Sequence, residues 1–190
     1  TLALSFCVLI TLFAIFFGTG KGSGRERHEG LVMTIAFESL VKLIALLLVG
    51  GFAVYSGFGG MAAMDQWLQG QPELLRQLKE PAAPGTFQVM MLVFFTAAVA
   101  TPQMFYMTFH ENNHPRALTI ASWGLPLYFL LLSLPVLPIL WAGLKAGSAS
   151  PMEYFTVTLG MDYGSELFTL IGFIGGLSAA SGLIIVITLA

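Results

Sequence analysis

The sequence predicts an all-α fold, a polytopic bundle of transmembrane helices, and three observations carry that expectation. First, 56% of the 190 residues are hydrophobic and only 9% are charged, whereas a soluble domain usually carries about 25% charged residues. A chain so poor in charge cannot present a hydrated shell on all sides. Second, the charges gather in a few polar connectors and leave long stretches almost uncharged, the pattern of a protein solvated by lipid. Third, those stretches approach the roughly 20 apolar residues needed to cross a hydrocarbon core. Inside lipid the backbone has no water to bond, so each crossing should be helical.

Five spans are expected, at about residues 2–17, 31–55, 87–109, 117–144 and 167–190. The first opens at Thr1 with no charged leader, and the last is still apolar at Ala190. The chain is therefore expected to be cut from the middle of a longer membrane protein. Two surface helices are expected between spans. One covers about residues 64–80, with Trp67, Leu68, Leu74, Leu75 and Leu78 on its apolar side and Pro81 and Pro84 beyond its end. The other covers about residues 151–160, with Ser150-Pro151 as its start. Pro126, Pro135 and Pro138 suggest that the fourth span is bent.

Alternation puts the connectors 18–30 and 110–116 on one side of the bilayer, where they carry four Lys/Arg against three in much longer connectors opposite. The density of positive charge assigns that side to the cytoplasm. Net charge is −2, with no basic run and no interleaving of basic and aromatic residues, which argues against nucleic acid as a partner. The single cysteine, Cys7, forms no internal disulfide and sits in an apolar run that suits an inert thiol.

Polar residues inside the spans are the candidates for function. Glu38 and Lys42 are four apart in the second span and share one helical face, with Glu on the N-terminal side as favours a pair. Ionisable groups at membrane depth are functional candidates by default; the alternatives are a structural or gating ion pair between helices and a Lys that snorkels outward. In the third span Thr96 precedes Thr101-Pro102-Gln103. Pro102 removes a backbone donor and frees carbonyls one turn earlier, and such breaks usually face protein or a polar cavity. Thr96, Thr101 and Gln103 are thus candidate solute-binding residues, against the plainer reading of a proline kink. In the fifth span, Gly172, Gly176 and Ala180 recur every four positions and suit close helix packing. Ser178 and Ser181 offer two hydroxyls on one face, suitable hard ligands for a small cation.

His110-Glu111-Asn112-Asn113-His114 matches the H-E-x-x-H pattern of zinc hydrolases. That pattern works on a helix, where both imidazoles reach one metal. Here two Asn and the following Pro115 favour a turn. A third ligand is also required, and Asp162 lies one further crossing away, on the opposite face. An intramembrane zinc metalloprotease using His110, Glu111 and His114 is the alternative to a transporter. A purely structural membrane subunit is a third reading.

Taken in order, His28-Glu29-Gly30-Leu31-Val32, Ala36-Phe37-Glu38-Ser39-Leu40-Val41-Lys42-Leu43, Thr101-Pro102-Gln103-Met104-Phe105, Glu111-Asn112 and the run Phe173–Gly182 resemble the sodium:solute symporter family. Their spacing is most similar to the branch fused to sensor histidine kinases. The resemblance implies a ten-helix core of two inverted five-helix repeats, of which this chain is core helices four to eight. It implies a small polar solute bound near the bilayer midplane, Na+ as the coupling ion near Ser178 and Ser181, no other cofactor and no catalytic domain on this chain. It also implies a bacterial inner-membrane protein, with a kinase domain on the same full-length chain.

Two departures from the family pattern stand out. Symporters commonly read Ser-Ala-Ala-x-Ser-Thr in core helix eight, where the last two hydroxyls bind sodium. This chain reads Ser178-Ala179-Ala180-Ser181-Gly182-Leu183 and has no hydroxyl at those two positions. Symporters also often carry Thr-Asp, with Gln three residues after the Asp, at the start of core helix five. Here His28-Glu29 is followed by Val32, so Glu29 keeps a cytoplasmic acid and the amide is lost. Both departures fit a transporter-like module turned sensor.

Overall fold

The computed structural model describes residues 29–80, 85–100 and 115–189. Among these the chain is helical, with no strand, which agrees with the expected all-α class. Helix α1 covers Glu29–Phe52 and passes into a π-helical turn, Ala53–Phe58. Gly59 and Gly60 follow at φ of 86° and 130°, a conformation that L side chains rarely adopt. Helix α2 (Met61–Gln69) and α3 (Pro72–Lys79) then lie outside the long helices.

A single helix is expected over 64–80, but the structure breaks it at Gly70-Gln71. Pro72 is the reason: it restricts the preceding residue and takes the first helical position of α3, where its missing N–H costs nothing. Helix α3 carries Arg76 between Glu73 and Glu80 at 3.9 and 3.3 Å, all three well exposed.

Helix α4 (Thr86–Ala100) is followed by α5 (Pro115–Ser133) and α6 (Val136–Ala146). The bend expected in the stretch 117–144 falls at the turn Leu134-Pro135, which divides α5 from α6, and α5 continues through Pro126 without a break. Pro135 presses on Gly50 of α1 at a point where a side chain on Gly50 would collide. The segment expected over 151–160 is a 3-10 turn, Met152–Tyr154, leading into α7 (Phe155–Asp162). Helix α8 (Glu166–Leu189) ends the described chain.

Among the described residues, two stretches, Met33–Phe58 and Thr119–Ala146, are long and apolar enough to cross a bilayer, at 26 and 28 residues. Only 17% and 33% of their apolar windows are buried, whereas the core helix of a soluble protein is covered on most sides. On α4 the side chains of Phe87, Leu92, Phe94 and Phe95 are likewise exposed.

The buried core sits at one end of the long helices. Val49, Phe52 and Ala53 pack with Ile139, Trp141 and Ala142 of α6 and with Phe155 and Leu159 of α7. Gly143 abuts the Phe155 ring so closely that a Cβ would overlap it. Tyr163 donates its hydroxyl to the carbonyl of Ala142 at 3.2 Å. Lys145 ties this end together: its ammonium donates to the Gly57 carbonyl at 2.8 Å and stands 4.7 Å above the Phe58 ring. The wide π turn leaves carbonyls without regular helical partners, and the Lys145 cation meets one of them.

Candidate functional site

Helices α1 and α8 run antiparallel along one seam. Phe52 stacks on Phe168 with ring centroids 4.1 Å apart. Further along, Ala45 faces Gly175, where an added Cβ would come within 2.8 Å of the Ala45 methyl. Further still, Glu38 faces Gly182, where a Cβ would stand 2.9 Å from Glu38 Oε2. On α1 the seam reads 38, 42, 45, 49, 52, steps of four and three that keep one face of a helix in register with a partner.

The small residues that permit this approach are not the expected stripe. Gly175, Ser178 and Gly182 face α1, while Gly172 presses on the backbone of Thr156 and Val157 in α7. Gly176 meets only Val157 Cγ2, at 3.9 Å, and Ala180 is exposed. Spacing alone groups every fourth residue; two partner helices divide those residues between them.

The seam changes character along its length. From Ala45 to Phe52 it is apolar; from Glu38 to Lys42 it is polar. Ser178 is 8% exposed and donates its hydroxyl to the Glu38 carbonyl at 2.8 Å. The next carbonyl, that of Ser39, accepts from the Tyr128 hydroxyl of α5 at 3.1 Å. Glu38 Oε2 is sealed from solvent and has no hydrogen-bond partner. Lys42 Nζ lies 3.8 Å from the Cβ position of Gly182, so both charged ends converge on the same glycine. The ion pairs within 4.0 Å among the described residues are those of Arg76 on α3, so Glu38 and Lys42 face each other across a wider gap.

The structure therefore brings together three residues singled out by sequence: Glu38, Lys42 and Ser178. Ser181 gives its hydroxyl to the carbonyls of Leu177 and Ser178 on its own helix, at 3.1 and 3.2 Å, and is joined to no residue of α1 by these bonds. Thr96 is exposed on α4, and Glu29 is the first residue of α1. Thr101 and Gln103 lie outside the described residues, as do His110, Glu111 and His114. Among the described residues no group of three or more His, Cys, Asp or Glu is placed to hold a metal ion.

Sequence reasoning missed Tyr128 and Gly182. Tyr128 carries no local signal, since its acceptor is 89 residues away. Gly182 reads as a lost hydroxyl, while its physical role is to leave room for the Glu38 and Lys42 side chains. An open cleft of about 610 Å³ lies at the other end of α8, lined by Val157, Met161, Glu166 and Thr169 among others, and contains none of the expected site residues. No protein-family model, no curated protein and no solved structure matches this chain.

Proposed function

We propose that this chain is the membrane-embedded part of a transporter-like module of the sodium:solute symporter kind, in a bacterial inner membrane. It binds a small polar solute between its helices. The observation that carries this reading is the polar end of the α1–α8 seam. A carboxylate and an ammonium approach Gly182, and one turn earlier a buried serine hydroxyl bonds the Glu38 main chain, between two apolar helices that expose many large side chains. Charges inside apolar helices are costly unless paired or facing a polar path, and such residues mark ion and solute routes. The antiparallel pairing of α1 and α8 also fits the second and fifth spans, which have two crossings between them.

In this reading Thr96, Thr101 and Gln103 contribute to the solute cavity, and Ser178 and Ser181 lie beside the ion position. Glu38 and Lys42 gate or brace the seam, and Glu29 sits at the cytoplasmic entrance. A histidine kinase on the same full-length chain reads solute occupancy.

The test is tracer uptake and equilibrium binding by the full-length protein in liposomes, with radiolabelled amino acids, organic acids and sugars, with and without a sodium gradient. Saturable uptake of one class supports transport. Saturable binding without uptake supports the sensor form. Neither binding nor uptake across the panel sinks the reading.

A further inference from the structure

Helices α7 and α8 touch through glycines. The Ser165 N–H donates to the Gly160 carbonyl at 2.6 Å, Gly160 lies against the Thr169 main chain, and Gly172 lies against that of Thr156. These pairs run in opposite senses along the two helices, so the chain doubles back at the turn 163–165. The same two helices line the open cleft of about 610 Å³, within the range of about 300–1,000 Å³ that small-ligand sites occupy.

The lining is polar at one end and apolar at the other. Beside the turn stand the Glu166 carboxylate and the side chain of Ser165; one turn into α8 stands the Thr169 hydroxyl. Thr169 donates to the Ser165 carbonyl at 3.0 Å, which leaves its oxygen lone pairs to accept. Further from the turn the walls are Val157, Leu170 and Phe173. The apolar end continues into the exposed side chains of Ile174 and Leu177, the surface that lipid tails would cover.

Charge selects the head group. From Ala146 to Ala190 the chain carries three acids, Glu153, Asp162 and Glu166, and no Lys, Arg or His. Among the described residues the ion pairs within 4.0 Å are those of Arg76, so Glu166 has no basic partner there. An anionic head would meet repulsion from Glu166 and Asp162, and a quaternary ammonium has no N–H to give the carboxylate. We propose that the α7–α8 cleft holds a membrane lipid with a primary-ammonium head, its N–H groups on Glu166 and Thr169 and an acyl chain along Val157, Leu170 and Phe173. The inference rests on the bilayer of the proposed reading and is independent of its solute.

The experiment places the full-length protein in liposomes with phosphatidylethanolamine carrying a photoactivatable diazirine in its acyl chain, and maps the crosslinks by mass spectrometry. Labelling is expected on Val157, Leu170 or Phe173. Unlabelled phosphatidylethanolamine should compete it away, while phosphatidylcholine and phosphatidylglycerol with the same chains should not. Glu166→Gln is expected to weaken labelling about fivefold, and Leu170→Trp, which fills the apolar end, to block it with the carboxylate intact. Equal competition by the three lipids, labelling spread evenly over α8, or full labelling of Glu166→Gln would each overturn the proposal. The competition series needs the native protein alone, so it decides the matter even where a variant does not fold. Solute uptake and binding are measured in the same liposomes: a protein that takes up no solute yet labels as expected sinks the transport reading and leaves this one standing.

Discussion

The buried hydroxyl of Ser178 donates to the main-chain carbonyl of Glu38 across 2.8 Å, joining two helices through residues 140 positions apart. That carbonyl lies within α1, so the bond adds a second donor at a helical acceptor. Ser178→Ala is expected to lower stability by about 0.5–1.5 kcal/mol. Ser181→Ala should have a smaller effect, because the Ser181 hydroxyl bonds only within its own helix. Unfolding of the two variants side by side in detergent micelles checks the difference.

Packing along the same seam gives a sharper contrast. Gly175→Val would drive side-chain atoms into Ala45 and should cost about 1–3 kcal/mol. Gly176→Ala meets only one distant methyl and should stay within about 0.5 kcal/mol of the native chain. Equal losses at the two positions, measured by thermal unfolding, would mean that α1 does not dock on the Gly175 face.

At the opposite end, Lys145→Met removes both the hydrogen bond to the Gly57 carbonyl and the cation above Phe58. A destabilisation of about 1 kcal/mol is expected, with faster amide exchange in the π turn Ala53–Phe58. Lys145→Arg should restore most of the protection, since a guanidinium supplies donor and charge. Hydrogen-exchange mass spectrometry of the three proteins reads this directly.

Tyr163 predicts a dependence on alkaline pH. Burial, and then the nearby Asp162 carboxylate, raise its phenol above the ordinary value of 10.0. The folded state therefore holds the proton more tightly than the unfolded state. This contribution is fully present below pH 10.0 and is lost as pH rises through the folded value. Tyr163→Phe should flatten that part of the stability profile, measured by denaturant unfolding between neutral and strongly alkaline pH.

The all-helical class was legible because charge is scarce and gathered, a property of composition that needs no tertiary information. The shared face of Glu38 and Lys42 was legible for a related reason: four residues make about one turn, whatever the helix packs against. What faces them was not. Ser178 and Gly182 meet Glu38 only because Gly175 lets α8 approach α1, and that choice among glycines belongs to the pair of helices. The break at Gly70-Gln71 was written in Pro72, but the apolar pattern on either side masked it. The π turn at Ala53–Phe58 carries no residue signature, and its partner Lys145 is 88 positions from Gly57.

Consecutive carbonyls on a helix point about a quarter-turn apart, and those of Glu38 and Ser39 are each held by a different neighbour, Ser178 and Tyr128. Helix α1 is thus clasped like a shaft between two fingers at its polar end, while its other end is anchored among Phe52, Phe58 and Trp141. Twisting α1 at Glu38 would open both clasps at once. A disturbance of the charged pair would then reach α5 and α8 together, making α1 a single input read out on two helices.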